Sequence, residues 1–326
     1  MKKLLKVGVV GVGVMGAEHA RVYSTLKGCQ LVGVYDNHKS LAKKVARKLG
    51  VTSFQNLDDL LKEVKAVSVC TPTTTHFDVA SKALNQRVAV LIEKPIANTL
   101  EEAEKLIKLA KINKTTLSVG HIERFNPVIE TLKKRLEKQK VISINITRLG
   151  PIPPRIKDVG IILDLGTHDI DLIRYLTKSH FEKINSVFSS KSNKFEDAAI
   201  LSFQMKNKTI ASVITNWYTP YKVRQIEVAT MDKLLVGNLM SQQVVEYSNY
   251  DGSGSYVTKS LPVKYTEPLY EELNSFTQAI SSNKKPRVSG LDGLEAVRVA
   301  LYCQKLVADK QPNKVTESQN RSPKFN

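Results

Sequence analysis

The opening "KVGVVGVGVMG" constrains this chain most: an apolar run carrying glycines at the spacing GxGxxG, Gly11, Gly13 and Gly16. Position gives the motif its weight. It follows a predicted strand and opens a predicted helix, the setting in which such glycines bind a dinucleotide. Gly11 permits the tight turn, Gly13 lets backbone approach a pyrophosphate, and Gly16 allows close helix packing. The helix N-terminus, at Val14 and Met15, offers unpaired N–H groups to the phosphates. A second strand, "QLVGVYD", ends at Asp36, about twenty residues on, where a carboxylate is expected to bond both ribose hydroxyls. That charge repels a 2′-phosphate and favours NAD. Lys39 nearby weakens the preference and leaves NADP possible.

The first third alternates throughout. "SLAKKVARKLG" reads as a helix closed by Gly50, "AVSVCTP" and "AVLIEKP" as strands, "TLEEAEKLIKLAKINK" as a helix capped by Thr99, and "TLSVGH" as a further strand. Strands alternating with helices indicate βαβ units and a parallel, doubly wound Rossmann sheet. After His121 the pattern changes. A basic helix over Pro127–Gln139, the strand "VISINITRLG" and a proline-rich loop "RLGPIPPRIKDVG" precede a helix at "ILDLGTHDIDLIRYLT". Residues 184–262 are then mostly strands without helices between them, which predicts a large, mostly antiparallel sheet. Two helices follow, at about 269–281 and 290–306. At 326 residues the chain exceeds one ordinary core. We expect a dinucleotide-binding domain over 1–121, a substrate-binding and oligomerisation domain over 122–310, and a mobile tail over 311–326.

Composition narrows the class. With 42% hydrophobic and 25% charged residues the chain is globular. The lysine-led start resembles a secretory leader, but glycines interrupt it and no small-residue cleavage site follows. The cysteines, Cys29, Cys70 and Cys303, form no CxxC pair, so no metal centre is expected, and reduced thiols in a cytoplasmic protein are. The net charge of +18 is either a solvated lysine-rich surface or an attraction for anions. No helix-turn-helix, zinc or RNP-type signature directs that charge to nucleic acid, and no apolar run is long enough for a bilayer.

Lys94 stands where a parallel strand leaves the core, the edge at which open α/β sheets bind ligands. Asp164 and His168, four apart, would share one helix face. A histidine beside a carboxylate can serve as an acid/base unit, or the two can be a structural pair. Together with "CTPTTTH", "EKP", "VGH" and "RFNP", these segments resemble the Gfo/Idh/MocA family of NAD(P)-dependent sugar oxidoreductases, to about Leu306. The resemblance implies that Lys94, Asp164 and His168 are catalytic. His168 would take the proton of a sugar hydroxyl, Lys94 would bond its oxygen, and Asp164 would orient His168 or share its proton. It places Thr71, Pro72 and His76 along the cofactor and Glu93 near the ribose. His121 faces the nicotinamide side or is a strand-end histidine satisfied by backbone. The large sheet is implied as the face of a homodimer or homotetramer.

The segments "GHIERFNP" and "RLGPIPPRIKDVG" resemble those of members that oxidise UDP-N-acetylhexosamines. The expected substrate is thus a nucleotide sugar such as UDP-N-acetylglucosamine, oxidised from 3-hydroxyl to 3-ketone. Arg124, Arg148, Arg155 and Lys157 are expected near the cleft mouth, since a guanidinium fork suits phosphate. Asn126 would bond the sugar, or cap the helix that begins at Pro127. A free polyol such as myo-inositol, or a non-enzymatic NAD-binding regulator, are the other readings.

Overall fold

The computed structural model describes residues 4–152, 159–191, 195–250 and 252–308. The first part runs β1 (Leu5–Val10), α1 (Val14–Thr25), β2 (Cys29–Tyr35), α2 (Lys39–Leu49), β3 (Thr52–Ser53), α3 (Leu57–Glu63), β4 (Ala66–Val69), α4 (His76–Asn85), β5 (Ala89–Glu93), α5 (Leu100–Ile112) and β6 (Leu117–Gly120). Its strands pair in parallel in the order β3-β2-β1-β4-β5-β6, the doubly wound dinucleotide arrangement. Local signals close these elements as expected. Gly50 takes the left-handed conformation (φ 66°) that ends α2. Thr99 and Glu102 form a reciprocal capping box at the start of α5.

The second part runs α6 (Pro127–Arg135), β7 (Val141–Pro151), α7 (Thr167–Thr177), β8 (Phe181–Ser189), β9 (Ala198–Met205), β10 (Ile210–Asn216), β11 (Tyr218–Thr230), β12 (Lys233–Asn238), β13 (Gln243–Ser248), β14 (Val257–Leu261), α8 (Pro268–Ser281) and α9 (Gly290–Ala308). Its eight strands order as β14-β13-β12-β11-β7-β10-β9-β8. All pairings are antiparallel except β10 on β7.

Three apolar clusters hold these layers. One side of the six-stranded sheet packs Val7, Val9 and Val34 against Ala20 and Tyr23 of α1 and Leu273 and Phe276 of α8. The other packs Val67, Val90 and Ile92 against Leu84, Leu106 and Val297, the last from α9. The third joins Ile144, Ile146 and Ile226 of the eight-stranded sheet to Leu132, Leu172 and Val299. The last two helices therefore return to both faces of the first sheet, and α9 bridges the two sheets. Truncating a wholly buried side chain such as Leu91 or Phe276 costs about 2–5 kcal/mol.

The structure departs from the sequence reading in four places. The basic helix stops at Arg135 rather than Gln139. The helix expected from "ILDLG" opens as a π-helical turn, Ile162–Gly166, before α7 begins. The two-residue β3 and the exposed, polar β14 carry too little hydrophobic alternation to read as strands. The expected tail, 311–326, lies outside the described residues, as do Arg155 and Lys157. Among the described residues no helix is long and apolar enough to cross a membrane, and the three cysteines are free.

Candidate active site

Each cofactor residue expected from the fingerprint comes to the carboxyl edge of the parallel sheet. Gly11 adopts φ +82°, and a Cβ there would lie 2.8 Å from the Thr71 backbone nitrogen. A Cβ at Gly16 would fall 1.8 Å from the Gly11 carbonyl oxygen. Nothing lies within 4 Å of a Cβ built on Gly13, so the backbone there faces open space. Gly13 caps α1 without a side-chain acceptor, which leaves the first-turn N–H groups free for phosphate. Val14 is 70% exposed beside them. Asp36 is held by the Val12 and His38 N–H groups, at 2.7 and 2.8 Å. Lys39, close by, donates to the Gln55 carbonyl and lies 4.7 Å from the Tyr35 ring centre. An open glycine cradle, an uncapped helix start and a carboxylate at the second strand's end fit a dinucleotide.

Thr71 and Pro72 follow β4 on the same edge, with the Thr71 hydroxyl buried and without a partner. His76 is placed differently from the expectation. It is fully buried, and its two ring nitrogens sit 2.9 Å from the Thr71 and Pro95 carbonyls. It ties two cofactor-edge loops together rather than lining the cleft. Glu93 likewise turns inward. Its carboxylate meets His19 Nε2 at 2.9 Å, and His19 Nδ1 meets Ser68. Burial opposes the Glu93 charge, but His19 and Lys94 hold its pKa below the ordinary value. Glu272 of α8 lies beside this pair with neither oxygen bonded. Burial, then the Glu93 charge, pushes its pKa well above the ordinary carboxylate value.

Lys94 and Asp164 meet from opposite parts of the chain. The Lys94 ammonium donates to Asp164 Oδ1 at 2.9 Å and to the Asp164 carbonyl at 2.6 Å. With side chains only 14% and 7% exposed, this is a desolvated, charge-assisted pair. His168 stands beside them, partly exposed, its Nδ1 buried and unpartnered. Its ring lies 6.3 Å edge-on from that of His121, whose Nδ1 is also buried without a partner. Burial, then the positive charges of Lys94 and Arg148, pushes the His168 pKa well below the ordinary imidazole value. A neutral imidazole beside a positioned ammonium can accept a hydroxyl proton while the ammonium bonds the oxygen.

The expected Asp164–His168 hydrogen bond is not found among the described contacts. The π-helical turn spans Asp164, and its wider i→i+5 winding removes the shared face that four-residue spacing has on an α-helix. Asp164 orients Lys94 instead.

Of the cations expected at the cleft mouth, Arg124 and Arg148 are otherwise employed. Arg124 is buried and grips Asp171 through Nε and Nη2, at 2.7 and 2.5 Å, with Asp292 at 3.2 Å. Arg148 is buried between Asp169 and Glu123. Asn126 caps α6, accepting from Val128 N, and donates to the Leu239 carbonyl. The carboxylates of "DIDL" beyond His168 thus neutralise buried arginines. A groove of about 610 Å³ lined by Lys134, Arg135, Lys259 and Leu261 contains none of the trio.

Sequence reasoning missed Arg224, Glu123 and the His19–Ser68–Tyr23 chain. A histidine eight residues after Gly11, on the helix the fingerprint opens, was the one available signal, since α1 faces the sheet there.

Two family models and several known proteins match this chain. Residues 5–121 match the model of an oxidoreductase family with an NAD-binding Rossmann fold, and residues 140–233 match the GFO/IDH/MocA C-terminal domain. The chain is 30% identical to a UDP-N-acetylglucosamine 3-dehydrogenase of Acidithiobacillus ferrooxidans, over 91% of this chain and 95% of that one. A solved structure of that enzyme superposes with a TM-score of 0.88 at 29% identity, covering 93% and 98% of the two chains. A myo-inositol 2-dehydrogenase of Thermotoga maritima is 25% identical, over 96% and 99%. The protein therefore belongs to the Gfo/Idh/MocA family of NAD-dependent sugar oxidoreductases.

Proposed function

We propose that this enzyme oxidises a hydroxyl of a nucleotide sugar, with the 3-hydroxyl of UDP-N-acetylglucosamine as the favoured target. The observation that carries this reading is the likeness to one such enzyme over nearly the whole chain, in both sequence and structure. The division of labour follows the sheets: residues 1–121 take the cofactor and 122–310 the sugar.

NAD, when bound, supplies the hydride acceptor, and Gly11, Gly13, Val14, Met15, Gly16, Asp36 and Thr71 are the residues that would hold it. The chain's own part is proton handling and positioning. His168, kept neutral by burial and neighbouring cations, takes the hydroxyl proton. Lys94 has three donor hydrogens, and Asp164 occupies two of them. The third is free to bond the sugar oxygen and stabilise the charge that develops as the proton leaves. Asp164 fixes the ammonium, and the His121 ring stands edge-on to that of His168.

The test follows the appearance of reduced nicotinamide absorbance with UDP-N-acetylglucosamine, free N-acetylglucosamine and myo-inositol. Turnover with the nucleotide sugar far above the others supports the reading. Comparable or faster turnover of inositol supports the second reading, a free-polyol dehydrogenase, favoured by the full-length likeness to the inositol enzyme.

The outer face of the eight-stranded sheet supports self-association. Val187, Ile200, Ile210 and Ile214 stand exposed on adjacent strands β8, β9 and β10, a patch typical of an interface. A homodimer or homotetramer through this face is the expected state, and light scattering in solution reads it directly.

A further inference from the structure

The geometry points to Arg224 as the residue that takes an anionic group of the sugar substrate, a phosphate or carboxylate carried within about one hexose ring of the reacting carbon. This deepens the proposed function and rests on it. Arg224 lies on β11, directly opposite Arg148 of β7. Like charges facing each other across two strands are unfavourable unless anions compensate them. Arg148 is compensated by Asp169 and Glu123. Those two carboxylates also act on Arg224 at longer range. None pairs with it: among the described residues Arg224 makes no ion pair.

Its hydrogen bonds define an orientation. Nη1 donates to the Leu149 and Val223 carbonyls, at 2.5 and 2.7 Å. Among the described contacts, Nε and Nη2 have no partner. That Nε–Nη2 edge is the one with which Arg124 holds Asp171 and Arg135 holds Glu246. The fork that this protein repeatedly uses for a two-oxygen anion is thus anchored and unfilled in Arg224. Burial, then the neighbouring Arg148 charge, pushes the Arg224 pKa down to about 10, as expected of a cation lacking its counter-ion.

Position ties it to the reaction. Arg224 contributes to the field that lowers the His168 pKa, and Asp164 acts on Arg224 in turn. In the strand register Arg224 pairs with Arg148, whose guanidinium holds Asp169, the residue next to His168. Gly150 lies beneath both side chains: a Cβ there would crowd Lys222 Cγ at 3.2 Å and meet Arg224 Nη1 at an ordinary 3.9 Å. Arg224 is partly exposed, so an incoming ligand can reach it.

The test is steady-state kinetics of the full chain with NAD, comparing Arg224→Ala and Arg224→Lys with the unaltered protein. The substrates are UDP-N-acetylglucosamine, its 6-carboxylate derivative, glucose 6-phosphate and uncharged N-acetylglucosamine, with UDP as inhibitor. NADH affinity serves as the folding control. Loss of a charge-assisted fork is expected to cut the preference for the anionic over the uncharged sugar roughly 10- to 100-fold in Arg224→Ala, mostly through KM. Arg224→Lys, which keeps the charge without the fork, should fall between. A matching rise in the UDP inhibition constant assigns the anion to the diphosphate. An unmoved UDP constant with a raised KM for the 6-carboxylate or 6-phosphate sugar assigns it to position 6. If the unaltered protein prefers an anionic sugar but Arg224→Ala leaves that preference and UDP inhibition intact, the assignment of Arg224 is wrong and the proposed function stands. If the unaltered protein prefers uncharged sugars, both fall.

Discussion

Replacing Lys94 by methionine isolates the chemistry at the strand edge. Methionine keeps most of the apolar stem and removes the ammonium. Two effects follow, and the structure sets the size of each. The hydrogen-bond donor to the reacting oxygen is lost, which at a preorganised site costs about 10²–10³-fold in kcat, or roughly 2.7–4 kcal/mol. Asp164, only 7% exposed in its side chain, also loses the ammonium 2.9 Å away. A charge-assisted bond contributes about 1.5–3 kcal/mol, so the melting temperature should fall by several degrees. Because Lys94 leaves the glycine cradle untouched, NADH affinity should change by only about two- or three-fold, well inside one kcal/mol. The assays are stopped-flow absorbance for turnover, NADH fluorescence for affinity and calorimetry for melting. A kcat within about five-fold of the unaltered protein, far short of a lost donor, would refute the role. A turnover loss matched by an equal loss of NADH affinity would refute it too, because the pair would then be holding the cofactor site together.

Three further expectations are independent of that one. The His168 pKa is lowered, so the neutral imidazole survives acidification further than a free one, and the acid limb of kcat/KM should lie below the ordinary 6.5. The unfolded chain binds more protons there, so stability should also decline as pH falls below that value; an acid limb above it would contradict the assignment of His168 as the base. Asp36→Ser should raise KM for NAD by about 10- to 100-fold, the loss of bonds to a charged acceptor, and improve NADP relative to NAD, read from initial rates with each cofactor. Gly16→Ala drives a Cβ into the Gly11 carbonyl oxygen, backbone that cannot swing aside, and should cost at least about 1–3 kcal/mol of stability along with most NAD affinity, measured by chemical denaturation and NADH titration.

The sequence carries the parallel half of this fold because its signals are local. The GxGxxG spacing, the Gly50 and Thr99 caps and the apolar runs that become β1, β4 and β5 each depend on near neighbours. Lys94 is legible for the same reason: a lysine ending a buried strand has few structural uses. What escaped is long-range. Nothing near Arg124 or Arg148 says that Asp171 and Asp169, 47 and 21 residues away, neutralise them, so two structural cations read as phosphate binders. The register that sets Arg224 opposite Arg148 is equally invisible in one sequence. The Asp164–His168 misreading has a local cause: the π-helical turn at Ile162–Gly166 breaks the α-helical face their spacing implied.

The proposed reaction moves a hydride from C3 of UDP-N-acetylglucosamine to the nicotinamide of NAD. The most direct measurement uses that sugar deuterated at C3 alone, incubated with the protein and NAD, with the nicotinamide product analysed by mass spectrometry. The expected result is deuterium in the reduced cofactor, appearing in step with loss of the 3-hydroxyl, with both slowed by about 10²-fold or more in Lys94→Met and His168→Ala. Reduced cofactor without deuterium would place the oxidation at another carbon. No reduction with this sugar, beside rapid reduction with myo-inositol, would contradict the claim outright.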